Sequence, residues 1–439
     1  MTQILLPPPG ASSIISRDEK VREAIISGID VLDQELQVMN LQIHDCPELC
    51  YEEVQAHTTL TEFLESQSIP HQKHTYGLPT SFEAEFGTGG RVVTFCAEYD
   101  ALPVVGHGCG HNLIATASMA AFLGVVAALK EMPIRGRVRL LGCPAEEGGG
   151  GKIKLINAGA FKDVHSALMV HPFPKTKESN DGTSFGTCLA GVTFKAHFEG
   201  LAAHAGAAPW LGINALDAAN LTYTAVGLLR QQCKPTDRIG IITTKDTDTP
   251  SNIIVDRATV DINVRAATLD EVLVLRRRAE NCARGAAIAT DCKLSLEDGM
   301  LPYAEIRPNE TICEEFTHAM ATLGSRFKCD LGNVEVGGYG TDMGMKKLRA
   351  TGAHFVLLTT RPGNVTYEVP GFHGTFAVPV EPGENMHSKG FNRASRTDAA
   401  HHVAVMAGKG MALAAWRILT DDTIAKKIEV DFENDKLRR

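Results

Sequence analysis

The hydrophobic and polar positions of this chain follow two periods that alternate through its first 186 residues. Apolar side chains near helical spacing, such as Val21, Ile25 and Ile29, predict a helix over 17–40, whereas the apolar run 91–97 predicts a buried strand. The same pattern predicts helices at 53–66 and 112–130 and buried strands at 138–143 and 167–170. Strands that alternate with helices are typical of an α/β sheet with helices on its faces.

The pattern changes after about residue 186. The predicted elements there are a strand at 187–199, a helix at 214–232, strands at 239–244 and 258–264, a helix at 269–289 and a strand at 293–297. The order βαββαβ predicts a ferredoxin-like α+β domain. Because α/β elements return afterwards, with a helix near 310–323, a strand near 354–358 and a last helix at 399–419, this domain is predicted to be an insertion.

Two domains are therefore expected, in agreement with a length of 439 residues. One is an α/β domain formed by 1–186 and 300–439, and the other is the inserted domain 187–299. Residues 1–16 contain three consecutive prolines and no apolar helix pattern, so we expect that segment to be disordered.

Charge and cysteine content restrict the partners and the compartment. A net charge of −9 argues against nucleic acid or an anionic membrane as the main partner. No stretch of 18 apolar residues is present, so no transmembrane helix is expected. The 11 cysteines are scattered, and the N-terminus has neither a basic start nor an apolar core, which together predict a cytoplasmic protein with reduced thiols.

The most informative chemistry lies in Cys109-Gly110-His111 and in the pair Glu146-Glu147, which follows the predicted strand 138–143. Thiolate, imidazole and carboxylate are the ligands that a divalent transition metal prefers, and the second carboxylate is left to move protons. Taken alone, a cysteine is more often a small buried apolar residue. Together these residues predict a metallohydrolase, with His107 as a weaker candidate for a further ligand.

Gly148–Gly151 followed by Lys152 invites comparison with a phosphate-binding loop. That interpretation fails, because Glu146 stands where the first glycine belongs and Ile153 stands where Ser or Thr is required. Three more histidines are ambiguous when taken singly. His171 ends a predicted strand, His204 lies in the inserted domain and His387 precedes the last helix.

Read together, these residues resemble the dinuclear-zinc amidohydrolase and metallopeptidase family of aminoacylase, glutamate carboxypeptidase and auxin-conjugate hydrolases. The nearest likeness is to its Cys-Gly-His subfamily and the β-alanyl-lysine-dipeptidase-like branch. The stretches that carry the resemblance are 98–103, 106–112, 144–149, His171, 200–209, 214–216 and 340–344. The resemblance implies a zinc-peptidase-like three-layer catalytic domain with an inserted ferredoxin-like lid and dimerisation domain.

The resemblance also implies a role for each matching position. The implied metal ligands are Cys109, His111, Glu147, His171 and His387. Glu146 matches the general base, Asp100 matches a carboxylate that orients a ligand, and His204 matches a lid histidine that polarises the scissile carbonyl, often across a dimer. Asn252 and Arg265 match lid residues that hold the substrate carboxylate. The implied cofactors are two divalent metal ions, zinc first, with manganese and cobalt as alternatives.

Two positions depart from the family pattern. Asn112 stands where many relatives have Asp. Trp210 stands where a histidine is common, and its larger side chain is expected to narrow the substrate-binding site. His373, in the Pro- and Gly-rich segment 370–382, is a further candidate site residue that the pattern does not place.

The implied reaction is hydrolysis of an amide bond in a dipeptide or an N-acyl or aryl amino acid by a homodimer that dimerises through the lid. Two alternatives stay open at this point. The same site would serve an amidohydrolase or amide-forming enzyme dedicated to one pathway. A non-catalytic binding module would instead have lost ligands or the base, yet Cys109, Glu146, Glu147 and His387 are all present.

Overall fold

A computed structural model describes residues 17–175, 180–245, 248–299, 301–333, 335–337, 341, 343 and 365–438. Residues 1–16, the strand predicted near 354–358, and positions 340, 342 and 344 of the family resemblance lie outside these described residues.

The first part of the chain alternates helices and strands as predicted. Its helices are α1 (Arg17–Asp30), α2 (Asp33–Asp45), α3 (Val54–Ser66), α4 (His111–Glu131) and α5 (Gly151–Ala158). Its strands are β1 (His71–Lys73), β2 (Phe82–Glu98), β3 (Arg135–Cys143), β4 (Ser166–Pro174), β5 (Gly182–Thr183) and β6 (Gly186–Cys188).

The single helix predicted over 17–40 is wrong, because α1 ends at Asp30 and α2 begins at Asp33. Asp33 and Glu35 lie in the first turn of α2, where acidic side chains favour the start of a new helix. The apolar spacing continues through the break because Ile29 and Leu36 both face the core.

The inserted segment forms its own antiparallel sheet with two helices on one face. Its elements are β7 (Ala190–Glu199), α6 (Ala215–Leu229), β8 (Arg238–Lys245), β9 (Arg257–Ala266), α7 (Leu269–Thr290) and β10 (Lys293–Asp298). The sheet order is β10-β7-β9-β8. Alternate residues of β9, from Ala258 to Val264, are buried against the helices. This confirms the ferredoxin-like fold of the insertion, while the exact boundaries 187 and 299 stay predictions.

The chain then returns to the first sheet. The remaining elements are α8 (Glu310–Thr322), β11 (Phe327–Lys328), β12 (Glu335–Gly337), α9 (Val365–Glu368), β13 (Gly371–Val378), α10 (Lys389–Ala394), α11 (Asp398–Thr420) and α12 (Asp422–Leu437). The segment 370–382, which the sequence pattern left unplaced, contains β13, and β13 pairs in parallel with β4.

The larger sheet brings three strand ends to one edge. Its order is β1-β2-β4-β13-β5-β11, and β3 pairs with β2. Residues 92–98 of β2 run parallel to 137–143 of β3, and 93–95 run parallel to 166–168 of β4. In α/β sheets the carboxyl ends of parallel strands form the binding edge, so the segments after β2 and β3 and the end of β4 converge there.

Helices α4 and α11 form the centre of the core of the α/β part. Both are long and apolar enough to cross a membrane by length and composition alone, but 94% and 67% of their most apolar windows are buried inside the protein. Packing against the sheet and against α1 and α8 therefore accounts for their apolar composition. Helix α4 also fixes the site, because its first residue is His111.

Candidate active site

The start of helix α4 places Cys109 and His111 at the binding edge of the sheet. Gly110, which precedes the helix, has a φ of +80°, and a Cβ there would lie 2.6 Å from Cγ of Pro172. Glycine is thus required by both conformation and space. Cys109 and His111 are both buried, which removes them from competing water.

Asp100, just after β2, fixes the orientation of the His111 ring. Its Oδ1 lies 2.9 Å from Nδ1 of His111, and its Oδ2 accepts a hydrogen bond of 2.8 Å from the backbone N–H of Glu147. Because a carboxylate only accepts, Nδ1 carries a proton, and Nε2 is the ring nitrogen that faces the site and can bind a metal. This is the arrangement by which an outer carboxylate prepares a histidine for metal binding.

His171, in β4, is oriented in the same way by a backbone carbonyl. Its Nδ1 lies 2.8 Å from the carbonyl oxygen of Pro172, and its Nε2 lies 3.5 Å from Sγ of Cys109. Burial, together with the neighbouring His373 and His111, lowers the pKa of His171 to about 3. The imidazole is therefore neutral near pH 7, as a metal ligand must be.

Glu146 and Glu147 lie in a sharp turn after β3. Ala145, just before them, has a positive φ of 58°, which is unfavourable for a residue with a Cβ. Oε1 of Glu147 lies 3.8 Å from Nε2 of His111 and 3.6 Å from Nε2 of His387. His387 is exposed, and its backbone N–H holds it at this place by donating a hydrogen bond to the carbonyl of Gly108.

Three overlapping groups of side chains in the described structure have ligand atoms within 4.8 Å of one another. They are Cys109, His111 and His171; Cys109, Glu147 and His387; and Glu98, His111 and Glu146. Cys109 and His111 each belong to two of the groups, so the three groups form one continuous set of donors that would suit two neighbouring ions. Ligands bound to zinc at about 2.0–2.3 Å lie roughly 3.3–3.8 Å apart around a tetrahedron. The pairs Cys109–His171 at 3.5 Å and Glu147–His387 at 3.6 Å lie in this range.

The donor set passes a second test of fit. Oε2 of Glu98, Nε2 of His111 and Oε1 of Glu147 are inaccessible to solvent and have no hydrogen-bond partner among the described residues. Buried polar atoms are costly when left unsatisfied, and these three face the same place. Two carboxylate oxygens and an imidazole lone pair are all satisfied at once by a cation.

Burial also explains the protonation of the thiol. Burial, and then the charge of Glu147, raise the pKa of Cys109 well above its ordinary value. The thiolate therefore needs a neighbouring positive charge, which a divalent ion supplies.

Glu98 is the residue of this site that sequence reasoning did not single out. Its side chain is fully buried, and Oε2 lies 3.6 Å from Nε2 of His111. Its other oxygen forms an ion pair with the equally buried Lys152 of α5. Burial raises the pKa of Glu98, but Lys152, His111 and His171 outweigh it and hold the pKa at about 2. The glycine run before Lys152 thus leads to an internal counter-ion, not to a phosphate loop.

His204 and Asn252 lie together on the exposed surface of the inserted domain. The two segments pair, because the N–H of Ala205 donates to the carbonyl of Asn252 at 2.8 Å. Nδ1 of His204 accepts from the N–H groups of Gly206 and Ala207, both at 3.1 Å. A neutral His204 therefore carries its proton on Nε2, which is a donor. The contacts of His204 found among the described residues all lie within the inserted domain, and none joins it to the metal ligands.

Arg265, in β9, lies where the inserted domain meets the α/β part. It pairs with Gly191 of β7, and its charge acts on the buried Cys188 of β6. Its Nη1 is shielded from solvent and has no hydrogen-bond partner among the described residues. The structure does not place Arg265 beside His204 and Asn252.

The two remaining histidine candidates are both buried. His107 lies outside the three ligand groups, because its Nε2 bonds the carbonyl of Ile43 at 3.1 Å and burial lowers its pKa to about 3. His373, in β13, stacks on His171 with ring centroids 5.8 Å apart. His373 therefore packs behind a candidate ligand.

Known proteins share both the sequence and the fold. Residues 95–421 match the family described as Peptidase family M20/M25/M40. The chain is 35% identical to the Xaa-Arg dipeptidase of Mus musculus, over 97% of this chain and 95% of that protein. It is 32% identical to a p-aminobenzoyl-glutamate hydrolase polypeptide of Escherichia coli (strain K12), over 65% of this chain and 61% of that protein.

Solved structures show the same fold at lower identity. A putative aminohydrolase from methicillin-resistant Staphylococcus aureus superimposes with a TM-score of 0.71 at 18% identity, over 91% of this chain and all of that one. A Bacillus subtilis protein described as a dinuclear metal binding peptidase superimposes with a TM-score of 0.61 at 19% identity, over 88% and 99% of the two chains. The suspected family and the α/β fold are thereby confirmed, and the chain belongs to peptidase family M20/M25/M40 as a metal-dependent hydrolase of amide bonds.

Proposed function

We propose that this protein is a dipeptidase that uses two zinc ions and prefers dipeptides with a basic C-terminal residue. The observation that carries the proposal is the convergence of Cys109, His111, Glu147, His171 and His387 around one place, with Glu146 beside them. The substrate preference is supported by the 35% identity to an Xaa-Arg dipeptidase along nearly the whole chain. The net charge of −9 also favours the approach of a cationic substrate.

The donor set suits zinc. Thiolate and imidazole are softer ligands than carboxylate alone, and zinc accepts a tetrahedral mixture of all three. We assign Cys109, His111 and His171 to one ion and Cys109, Glu147 and His387 to the other, with Glu98 next to His111. When bound, the ions would supply Lewis acidity and make a water molecule acidic enough to lose a proton near pH 7.

Glu146 is the proposed general base. Its Oε2 lies 3.9 Å from Nε2 of His111, so it borders the ligand atoms and stays in a position to accept a proton. The carboxylate would take the proton of the attacking water and give it to the leaving amine. Asp100 holds His111 in the tautomer that this arrangement requires.

The inserted domain is proposed to act on the substrate from the other side. Nε2–H of His204 is the donor that would stabilise the developing oxyanion. Asn252 adjoins His204. Arg265, elsewhere in the domain, has a guanidinium nitrogen with no hydrogen-bond partner among the described residues, and this nitrogen is suited to bind a free carboxylate.

A homodimer formed through the inserted domain would bring His204 to the partner's site. Strand β8 lies at the edge of its sheet, with Ile242 exposed. Leu221 and Leu228 of α6 are also exposed, and their spacing of seven places them on one helix face. An open strand edge beside an apolar helix face favours pairing with a second copy. We also infer a cytoplasmic location, because all eleven cysteines are free thiols.

The test is a mass-spectrometric screen of the zinc-supplemented protein against pooled substrates, with Glu146→Gln as control. The pools are dipeptides that end in Arg or Lys, dipeptides that end in acidic or apolar residues, N-acyl amino acids and aryl-amide amino acids. Cleavage of the first pool by the wild type alone supports the proposal. Exclusive cleavage of another pool would contradict the basic preference, and equal cleavage by Glu146→Gln would contradict the base.

A further inference from the structure

The turn that carries Glu146 is held in an unfavourable backbone conformation by surrounding side chains. Ala145 has a φ of 58°, and Gly148 and Gly150 also have positive φ angles. Glu53 accepts a hydrogen bond from the N–H of Ala145 at 2.8 Å, and Asp100 accepts one from Glu147. A turn of this kind persists only while its environment fixes it.

The hydroxyl of Tyr303 forms hydrogen bonds with this turn at two points. Its hydroxyl donates to the backbone carbonyl of Glu146 at 2.7 Å and accepts from the N–H of Gly150 at 3.0 Å. The residue is 4% exposed, so both bonds lie away from competing water. One phenol therefore sets the distance between the general base and the start of α5.

Tyr303 is anchored by the inserted domain. Its backbone N–H and carbonyl both pair with Gly191 of β7, at 2.9 and 2.7 Å. Other side chains that hold the turn come from the α/β part before the insertion, namely those of Cys50, Tyr51, Glu53 and Asp100. The position of the phenol is thus set by the first strand of the inserted domain.

We infer that Tyr303 is a positioning residue for Glu146. The inference rests on the proposed role of Glu146 as general base. Without the phenol, the N–H of Gly150 loses a buried acceptor. The carbonyl of Glu146 keeps the bond of 2.7 Å from the N–H of Gly148 but loses the phenol as a further donor, so the strained turn gains other conformations. The carboxylate of Glu146 would then spend less time where it can accept the proton, although the metal ligands keep their own supports.

The test compares Tyr303→Phe with Tyr51→Phe in the zinc-loaded protein. Tyr51 is the matched control, because its hydroxyl bonds the same turn at the carbonyl of Gly149, three residues after the carbonyl that Tyr303 bonds. For Tyr303→Phe we expect kcat to fall about tenfold, with KM within about twofold of wild type and zinc content unchanged. Hydrogen exchange in the substrate-free protein should accelerate about tenfold at 146–151. Tyr51→Phe should change kcat by less than about threefold.

Several outcomes would overturn the inference. Wild-type kcat in Tyr303→Phe would show that the phenol does not position the base, and unchanged exchange at 146–151 would show that it does not hold the turn. An equal fall of kcat in both variants, or a fall of kcat together with a loss of bound zinc, would mean that the substitution disturbs the whole site and not the position of Glu146 alone. Failure of the wild type to cleave any pooled substrate would instead reject the proposed function, and the exchange comparison would still decide whether Tyr303 holds the turn.

Discussion

At the residue scale, the site depends on side chains that orient other side chains. Asp100 uses both of its carboxylate oxygens, one for Nδ1 of His111 and one for the N–H of Glu147. An asparagine has one acceptor oxygen and cannot replace both contacts. We expect Asp100→Asn to weaken zinc binding by about 10- to 100-fold, the usual effect of losing such a partner.

Competition of the metal-free protein with a chromogenic chelator measures this affinity. Asp163→Asn is a suitable control, because Asp163 pairs with Arg137 and Arg139 and not with a candidate ligand. Wild-type affinity in Asp100→Asn would contradict the assigned role of Asp100.

Glu98 and Lys152 allow the charge of the site to be tested separately from its stability. Glu98→Gln removes an oxygen that faces His111 and leaves a buried ammonium without its carboxylate. We expect zinc affinity to fall about tenfold and the free energy of unfolding to drop by about 3–5 kcal/mol, as when one member of a buried pair is lost.

The double variant Glu98→Gln/Lys152→Met separates the two effects. It should recover much of the stability, since the buried ammonium is removed together with the buried carboxylate, but not the zinc affinity. Chelator competition and denaturant unfolding measure the two quantities. Recovery of both together would mean that Glu98 acts only as the partner of Lys152.

Most of the candidate site could be predicted at this scale because chemistry and order along the chain are local properties. Cys109, His111, Glu147, His171 and His387 are brought together as the resemblance implied. Glu98 was missed although a signal existed. Residues two apart at a strand end point to the same side, so Glu98 faces the site if Asp100 does. The partnership of Glu98 with Lys152 joins positions 54 apart, which no local pattern specifies.

At the scale of elements, close helix packing decides how the chain tolerates change. Gly28 in α1 faces α4, and a Cβ at this position would lie 2.4 Å from Cβ of Ala127. Gly285 in α7 has open space around it. The same substitution should therefore have opposite effects at the two positions.

We expect Gly28→Ala to destabilise the protein by about 1–3 kcal/mol through overpacking. Gly285→Ala should stabilise it by up to about 1 kcal/mol, because alanine favours a helix more than glycine does. Urea unfolding of both variants measures the difference. A gain in stability for Gly28→Ala would show that α1 can shift away from α4 at no cost.

The elements also show where pattern reading fails. The inserted domain was predicted in its full order because its strands carry a clear sequence pattern, as in β9, where apolar and polar residues alternate. The structure buries the apolar set. Strand β13 was not predicted, since its glycines and flanking prolines are typical of a loop. It forms a strand because it lies between β4 and β5 in the sheet, where its neighbours bond it on both sides. Tertiary pairing outweighs propensity at such a position.

At the scale of the whole molecule, buried histidines link stability to pH. His57 in α3 is 4% exposed, and burial, followed by the charges of His74 and Lys73, lowers its pKa to about 4. The unfolded chain binds this proton near pH 6.5, so below that pH it binds more protons than the folded state. Stability should therefore fall as the pH drops from about 6.5 towards 4, by up to about 1.4 kcal/mol per pH unit for this group.

His57→Leu should flatten this part of the curve. Urea unfolding of the metal-free wild type and variant between pH 7 and pH 4.5 measures the two slopes. The metal is removed because protons and zinc compete for the same ligands, and this competition would add its own pH dependence. Identical slopes would mean that His57 is not held neutral in the folded state.

Hybrid dimers can show which chain supplies His204 to each active site. Within one chain, the described contacts of His204 stay inside the inserted domain, whereas Glu146 lies at the edge of the main sheet. If the dimer places His204 in the partner's site, Glu146→Gln and His204→Ala should each be nearly inactive. A mixture that exchanges subunits should then regain activity, because in a hybrid dimer one site combines an intact Glu146 with the intact His204 of the other chain.

Random exchange makes half of the dimers hybrid with one of two sites intact, so recovery should approach about a quarter of wild-type activity. Adding Ile242→Lys on the exposed β8 edge to both variants should prevent dimer formation, which light scattering measures, and should also prevent the recovery of activity. If His204 instead serves its own chain, hybrids contain no site with both residues and the mixture stays inactive. Recovery of activity without dimers would show that the dimer is not needed for His204 to act. Dimers without recovery of activity would show that the dimer does not carry His204 into the partner's site.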